Sequence, residues 1–336
     1  MANRRANPVM FGFDFQVNAA IVLLLENITE MESVRLEGAH EDIEIALNNG
    51  RHVFAQAKAI TKASSDFTNV RANLKKALQS LTEANEKANS TADRLILITN
   101  SPNPLKDDQS RSCFWGPAVR DYHTLPPSAQ KIISDYVTKL SLNVDLSLFR
   151  IQVVPFETDD YNERYKAIKS CIDSFIGRLN MNMPGLSDKL MEFWHHCLMA
   201  NGGTADESIK LSKKDIVWPL IVLSTDIQQF DSSMHDLFDQ AEYEEITRTY
   251  RQVIDYKCER YDFMSKVLFD FVEYRSDEPR GKKIVSFIAE HWERYADDFN
   301  EITIDTQLRK TLIQIVLYAI LVQRYQIDRI KKGVGL

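Results

Sequence analysis

The sequence is poor in the residues that punctuate or cross-link a chain. Its 336 residues hold 11 glycines, 10 prolines and 4 cysteines. So little Gly and Pro excludes a collagen-like repeat, long flexible linkers and a disordered chain. Cys113, Cys171, Cys197 and Cys258 form no C-x-x-C pair and are too sparse for a disulfide scaffold. A reducing, cytoplasmic setting is the simplest expectation. Long apolar runs are missing too. The longest nearly unbroken ones cover residues 19–25, 216–223 and 312–322, the last interrupted by Gln314, and none approaches the ~18 residues of a membrane span. Arg4 and Arg5 are followed by Asn, Pro and Asp14 rather than an apolar stretch, so no cleavable signal peptide is expected. Excess positive charge is lacking as well. The net charge is −7; residues 1–155 balance at 17 of each sign, and residues 156–336 carry 24 basic against 31 acidic. Bulk charge therefore gives nucleic-acid binding no support, and any such surface must be local.

What is present falls into two halves. In the first, residues 15–26 read as a helix with Val17, Ala20, Ile21, Leu24 and Leu25 on one face and Asp14 as its cap. Residues 34–37 are a short strand candidate. Residues 42–47 and 51–59 alternate polar and apolar around an Asn48-Asn49-Gly50 turn, the pattern of a hairpin. A helix begins at Ser65 or Asp66 and carries Phe67, Val70, Leu74, Leu78 and Leu81 at spacings of three and four. Buried strands at 94–99 and 149–156 alternate with helices ending near Leu140 and Leu179. This order predicts a mixed α/β domain. The second half reads as almost wholly helical, over 186–200, 213–223, 232–273, 282–299 and 306–332. The domain boundary is expected at residues 180–184, giving domains of 8–180 and 184–336.

The hairpin is where chemistry is legible. Asp42 and Glu44 share one strand face, and Gln56 and Lys58 share one face of the next. A three-residue loop, with Gly50 left-handed, sets Asp42 facing Gln56 or Lys58; a two-residue Asn49-Gly50 loop pairs Asp42 with Ala57 instead. In the first register a carboxylate, an amide and a lysine meet. Asp42, the Gln56 side-chain oxygen and the Ala57 carbonyl suit Mg²⁺ or Mn²⁺, hard cations that prefer oxygen. Such a cation polarises a phosphate and acidifies a bound water. Lys58 would orient that water or stabilise charge on phosphorus. The same residues also fit the solvated face of an ordinary hairpin.

The stretch resembles the PD-(D/E)xK nuclease superfamily, with Asp42 as the acidic position, Glu41 where the motif has proline, and Gln56-Ala57-Lys58 as a Q-x-K variant. Phe13-Asp14-Phe15-Gln16, Ala20-Ile21, Glu37, Glu41-Asp42-Ile43 and the triplet together look like the dsDNA endonuclease domain of bacterial antiphage effectors. That domain occurs in CBASS effectors, in the Lamassu nuclease subunit and in nucleases paired with HerA-type ATPases. The resemblance implies an α/β restriction-endonuclease-like N-terminal domain followed by an all-α C-terminal domain. It implies a metal-dependent endodeoxyribonuclease with catalytic Asp42, Gln56 and Lys58, metal ligands Asp42, Gln56 and Ala57, and accessory Glu37, Glu41 and Gln16. CBASS effectors of this kind carry a mixed α/β SAVED sensor domain; the helical pattern of 184–336 points instead to the Lamassu type. Its implied partners are double-stranded DNA, an SMC-like ATPase with a small accessory subunit (or a HerA-type ATPase) and a homo-oligomer when active, restrained until triggered, with no membrane. A noncatalytic adaptor and a structure-specific DNA repair nuclease are the competing readings.

Lys62, Arg71 and Lys75 are the candidate DNA contacts, with Lys76 beside them; a charge row on a helix is also simply solvated. His195-His196-Cys197 lacks a partner pair at zinc-ligand spacing. No G-x4-G-K-[ST] loop is present, so ATP hydrolysis is not expected. Leu312, Ile315, Val316, Ala319, Ile320 and Val322 nearly encircle their helix, which predicts deep burial or an interface.

Overall fold

The computed structural model describes the chain except residues 1–6, 158–159, 182, 184, 225–236 and 302–303, and the side chains of Tyr161 and Glu259. Arg4, Arg5, part of the expected 180–184 boundary and the start of the expected 232–273 helix lie outside the described residues. The chain forms two units. One comprises residues up to Leu220 together with Gly333–Leu336; the other is Ile221–Lys332.

The first unit is built in the order α1 (Asn7–Glu26), β1 (Met31–Leu36), β2 (Ile43–Leu47), β3 (His52–Lys58), α2 (Val70–Lys87), β4 (Ala92–Thr99), β5 (Ala118–Asp121), α3 (Pro127–Lys139), β6 (Phe149–Val153), α4 (Tyr161–Arg164), α5 (Lys166–Arg178), α6 (Leu186–Gly202) and β7 (Leu211–Ser212). The chain then enters α7 (Lys213–Ser224). Its seven strands lie in the order β5-β6-β4-β3-β2-β1-β7. The antiparallel strands β1, β2 and β3 run into a parallel centre of β3, β4 and β6. Side chains alternate across the pleat. Phe54, Leu95, Leu97, Phe149, Ile151 and Val153 pack against α2 and α3 on one face. α1 lies against β1 and β3 with α5 and α6 beside it. This is a mixed α/β sheet unit followed by a helical region.

The details depart from the sequence pattern in instructive ways. α1 starts eight residues earlier than its periodicity indicates and is buried on nearly every side. By length and composition α1 could cross a membrane, which the run-length reading missed; its most apolar window has mean hydropathy 1.7 and is 67% buried within the fold, as in a core helix. α2 begins at Val70 rather than at 65–66, because the Lys62 carbonyl closes a turn onto the Ser65 and Asp66 amides. β5 and β7, four and two residues long, escaped the sequence reading and form the two sheet edges. The division also falls later than residues 180–184. β7 pairs with β1, Trp194 Nε1 donates to the Ile216 carbonyl at 2.8 Å, and buried Arg35 donates to the carbonyls of Asn201, Thr204 and Ile209. Lys213, 5% exposed, donates to the carbonyls of Thr29, Val334 and Gly335. These contacts tie residues 186–220 to the sheet.

The second unit contains α8 (Gln240–Thr249), α9 (Arg251–Glu259), α10 (Tyr261–Glu273), α11 (Arg280–His291), a 3₁₀ stretch at Trp292–Phe299 and the greater part of α12 (Thr306–Val334). The long helical run expected over 232–273 is broken at Tyr250 and at Arg260, whose extended backbone ends one helix and starts the next. Phe263, Phe271, Phe287, Tyr295 and Phe299 form its core with Leu312, Val316 and Ile320. Leu312, Ile315, Val316, Ala319 and Ile320 are each 6% exposed or less, and Val322 is partly buried, so the encircled helix is a central one.

Candidate active site

The site begins with a turn. Leu47 N–H donates to the Arg51 carbonyl and Gly50 N–H to the Leu47 carbonyl, leaving Asn48-Asn49-Gly50 as a three-residue loop. Gly50 has φ 79°, a conformation glycine adopts without steric cost. The register that follows pairs Glu44 with Phe54 and Ile43 with Ala55. One step further along the strands, Asp42 stands beside Gln56.

There the Asp42 carboxylate collects its partners. Oδ2 accepts from the Gln56 amide and from Ala57 N–H at 2.9 Å, and Lys58 Nζ lies 3.8 Å away. The side chains of Asp42 and Lys58 are each 24% exposed, whereas Gln56 is buried. N–H and C=O of one strand residue point to the same side. The Ala57 carbonyl is thus directed toward Asp42. Lys58 faces a small pocket lined by Ile60, Val70, Asn73, Leu97 and Pro104. The pocket lies at the carboxyl ends of β3 and β4, where open parallel sheets take their ligands.

Two devices hold this edge. Thr99 Oγ1 donates to the Lys58 carbonyl at 2.6 Å. Asn100, 3% exposed, accepts from Ile60 N–H at 2.8 Å and donates to the carbonyls of Ile60 and Phe156, both at 2.9 Å. Its amide stitches the chain beyond β3 to the chain beyond β6. The sequence reading missed both residues. A polar pair at the end of a buried strand, Thr99 closing β4 and Asn100 following it, was the available signal.

A second set of bonds shapes the corner before β2. Gln16 on α1 donates to Glu37 Oε1 and to the Asp42 carbonyl, both at 2.8 Å. Glu37 itself is left-handed, with φ 48°, and its N–H donates to the same Asp42 carbonyl at 2.9 Å. Glu44 Oε1 accepts from His40 N–H at 2.5 Å and Glu41 N–H at 2.9 Å. A Cβ on Gly38 would fall 2.4 Å from the Glu44 carboxyl carbon, so a side chain there would have to displace that carboxyl from the amides it accepts from. Glu41 is buried, and desolvation pushes its carboxyl up to about 7 against partial relief from the Ser80 hydroxyl.

Asp42, Gln56, Ala57 and Lys58 therefore come together. Gln16 and Glu37 meet each other and the Asp42 main chain rather than its carboxylate, and Glu41 is desolvated beside it. Lys62 lies on the exposed loop after β3, Lys75 is exposed on α2, and Arg71 is turned to the Lys106 carbonyl at 3.4 Å. No group of three or more His, Cys, Asp and Glu is poised to hold a metal among the described residues. His195 instead meets Asp14, with Nε2 3.0 Å from Oδ1. The donors available to a cation are one carboxylate, one amide and one main-chain carbonyl. That all-oxygen set fits Mg²⁺ or Mn²⁺ keeping several waters, provided the Gln56 amide turns its oxygen toward Asp42.

No family model matches the sequence, and no curated protein does. Among solved structures, the chain is similar to a Moraxella osloensis Cap4 SAVED/CARF-domain containing receptor, at 13% identity and TM-score 0.40, over 76% of this chain and 61% of that one. It is similar also to the Acinetobacter baumannii Cap4 SAVED/CARF-domain containing receptor with the cyclic trinucleotide 2′3′3′-cAAA. That match has 14% identity and TM-score 0.38, over 63% of this chain and 44% of that one. The chain thus spans less than two thirds of either structure, and at such TM-scores neither lends it a ligand or an activity. These neighbours are described as receptors, not as PD-(D/E)xK or Lamassu nucleases. The expected family membership, and the expected endonuclease effector restrained by partner subunits, are corrected accordingly. The SMC-like ATPase, accessory subunit, HerA-type ATPase and active homo-oligomer rested on that resemblance, and the comparisons do not show them.

Proposed function

We propose that the edge formed by Asp42, Gln56, Ala57 and Lys58 hydrolyses phosphodiesters with a divalent cation. One observation carries this reading: the three-residue turn sets the Asp42 carboxylate against Gln56 and 3.8 Å from Lys58 Nζ, at the carboxyl end of the parallel strands. Asp42, Gln56 and the Ala57 carbonyl are the residues that would hold Mg²⁺ or Mn²⁺. When bound, the cation supplies charge for the non-bridging phosphate oxygens and a more acidic water. Lys58 holds its ammonium where charge develops on the phosphoryl oxygens, and its main-chain carbonyl, fixed by Thr99, sets that position.

A second reading, a binding module without turnover, is favoured by one specific feature. Asp42 Oδ2 is already engaged by Gln56, Ala57 and Lys58, so the edge is satisfied without a cation.

The test uses the full chain with Mg²⁺ or Mn²⁺ against supercoiled plasmid, a linear oligonucleotide and a cyclic trinucleotide, itself a phosphodiester. Cleavage of any of these by wild type, lost in Asp42→Ala and in Lys58→Ala, supports hydrolysis at this edge. Wild type that binds but never cleaves supports the binding module. Equal cleavage by all three proteins removes the chemistry from this edge.

A further inference from the structure

The loops that follow β3 and β4 flank the Lys58 pocket from two sides, and their cations share one property. Lys62, Arg71, Lys106 and Arg111 have no ion-pair partner among the described residues. They are nevertheless grouped. Arg71 is tied to the Lys106 carbonyl. Lys62 and Lys106 both act on Asp66, whose carboxyl is lowered first by the Thr68 amide. Arg111 lies 5.7 Å over the ring of Phe67, next to Asp66 in sequence.

Two of the three carboxylates of these loops are held by local hydrogen bonds. Asp66 accepts from Thr68 N–H at 2.9 Å. Asp107 accepts from Ser110 N–H at 3.0 Å and from the Ser128 hydroxyl at 2.9 Å. Asp108 is left as the exposed one. Four residues after Arg111 stands Trp115, 78% exposed and without a ring partner among the described residues. Unpaired cations beside an exposed indole are the two components of a single-strand binding surface. The cations follow the backbone, and the ring stacks on a base that duplex pairing would hide.

We propose that Lys62, Arg71, Lys106, Arg111 and Trp115 form a binding surface for single-stranded nucleic acid, leading to the Lys58 pocket. It goes beyond the hydrolytic reading, because the surface binds whether or not the edge turns over.

The probe is a fluorescein-labelled oligo-dT strand, measured by anisotropy with the full chain in EDTA, beside a hairpin duplex of equal length. EDTA separates the two ideas: binding without any later cleavage in Mg²⁺ or Mn²⁺ sinks the hydrolytic reading and leaves this one standing. Trp115→Ala should weaken the single strand at least fivefold while leaving its salt dependence unchanged. Lys62→Ala/Lys106→Ala/Arg111→Ala should flatten the plot of log affinity against log salt by about 2, at about 0.7 per lost phosphate contact. Arg111→Lys, which keeps the charge, should leave that slope in place. An unchanged salt slope in the triple variant, or a single strand indifferent to Trp115, overturns the proposal. So does tighter binding of the duplex.

Discussion

Asn100 bonds to both main-chain groups of Ile60, accepting from its N–H at 2.8 Å and donating to its carbonyl at 2.9 Å. With the further bond to the Phe156 carbonyl, one buried amide replaces the strand pairing that has just ended. Asn100→Ala leaves three main-chain groups without this partner, one buried and two partly buried, which should cost about 2–4 kcal/mol. Asn100→Asp keeps the shape but cannot donate and should cost as much. Urea unfolding of both variants reads this directly. A loss below 1 kcal/mol in both would mean that water takes the place of the amide.

Gln16 should matter more to the chemistry than to the fold. It grips Glu37 and the Asp42 carbonyl from α1. Gln16→Leu removes that grip and places an apolar side chain of similar size at the buried position. Phosphodiester hydrolysis should fall by on the order of tenfold or more, since small misplacements of reacting groups are costly. The melting temperature should move only a few degrees. Unchanged turnover beside a large drop in melting temperature would make Gln16 a purely structural residue.

Gly38 gives a steric test with its own control. Alanine there collides with the Glu44 carboxyl and pushes it off the His40 and Glu41 amides. We expect a loss of about 1–3 kcal/mol. Gly12 lies within α1, and a Cβ there meets nothing within 4 Å. Gly12→Ala should be neutral or stabilising by up to about 1 kcal/mol, through helix propensity alone. Equal thermal shifts for the two variants would refute the clash.

Glu41 makes stability depend on pH in a defined direction. Burial raises its carboxyl from 4.5 to about 7 in the fold. The folded protein therefore binds a proton that the unfolded chain releases. The contribution is fully present below about pH 4.5, declines as pH rises toward 7 and is gone above it. Relative to Glu41→Gln, wild type should lose up to about 3 kcal/mol between pH 4.5 and 8. Parallel stability curves for the two proteins across that range would show that the carboxyl is not desolvated.

The sheet-then-helices order was legible because strands and helices keep different apolar periods, and the hairpin was legible through its turn residues. The decisive register was not. Asn48-Asn49-Gly50 is compatible with either of two loops, and only the bonds between Leu47, Gly50 and Arg51 select the one that sets Asp42 against Gln56. α1 hid its true start because a helix buried on nearly all sides has no polar face to mark it. β5 and β7 are too short to show a period. Asn100 reads as an ordinary loop residue until the fold brings Phe156, 56 positions later, within reach. The expected boundary at 180–184 follows composition, while the real division follows which residues pair with β1.

The buried Lys213 ammonium has a consequence for the order in which the protein is made. It finds its main-chain acceptors at Thr29, Val334 and Gly335, so its solvation shell is assembled from two parts of the chain, both distant from it in sequence. During synthesis at about 5–20 residues per second, Lys213 leaves the ribosome on the order of ten seconds before Val334. The whole of Ile221–Lys332 emerges in that interval. The nascent sheet therefore waits, with one charge uncompensated, while a separate helical core condenses. Closure of that shell waits for Val334 and Gly335, and truncation between Lys213 and Val334 leaves the ammonium with the Thr29 carbonyl alone.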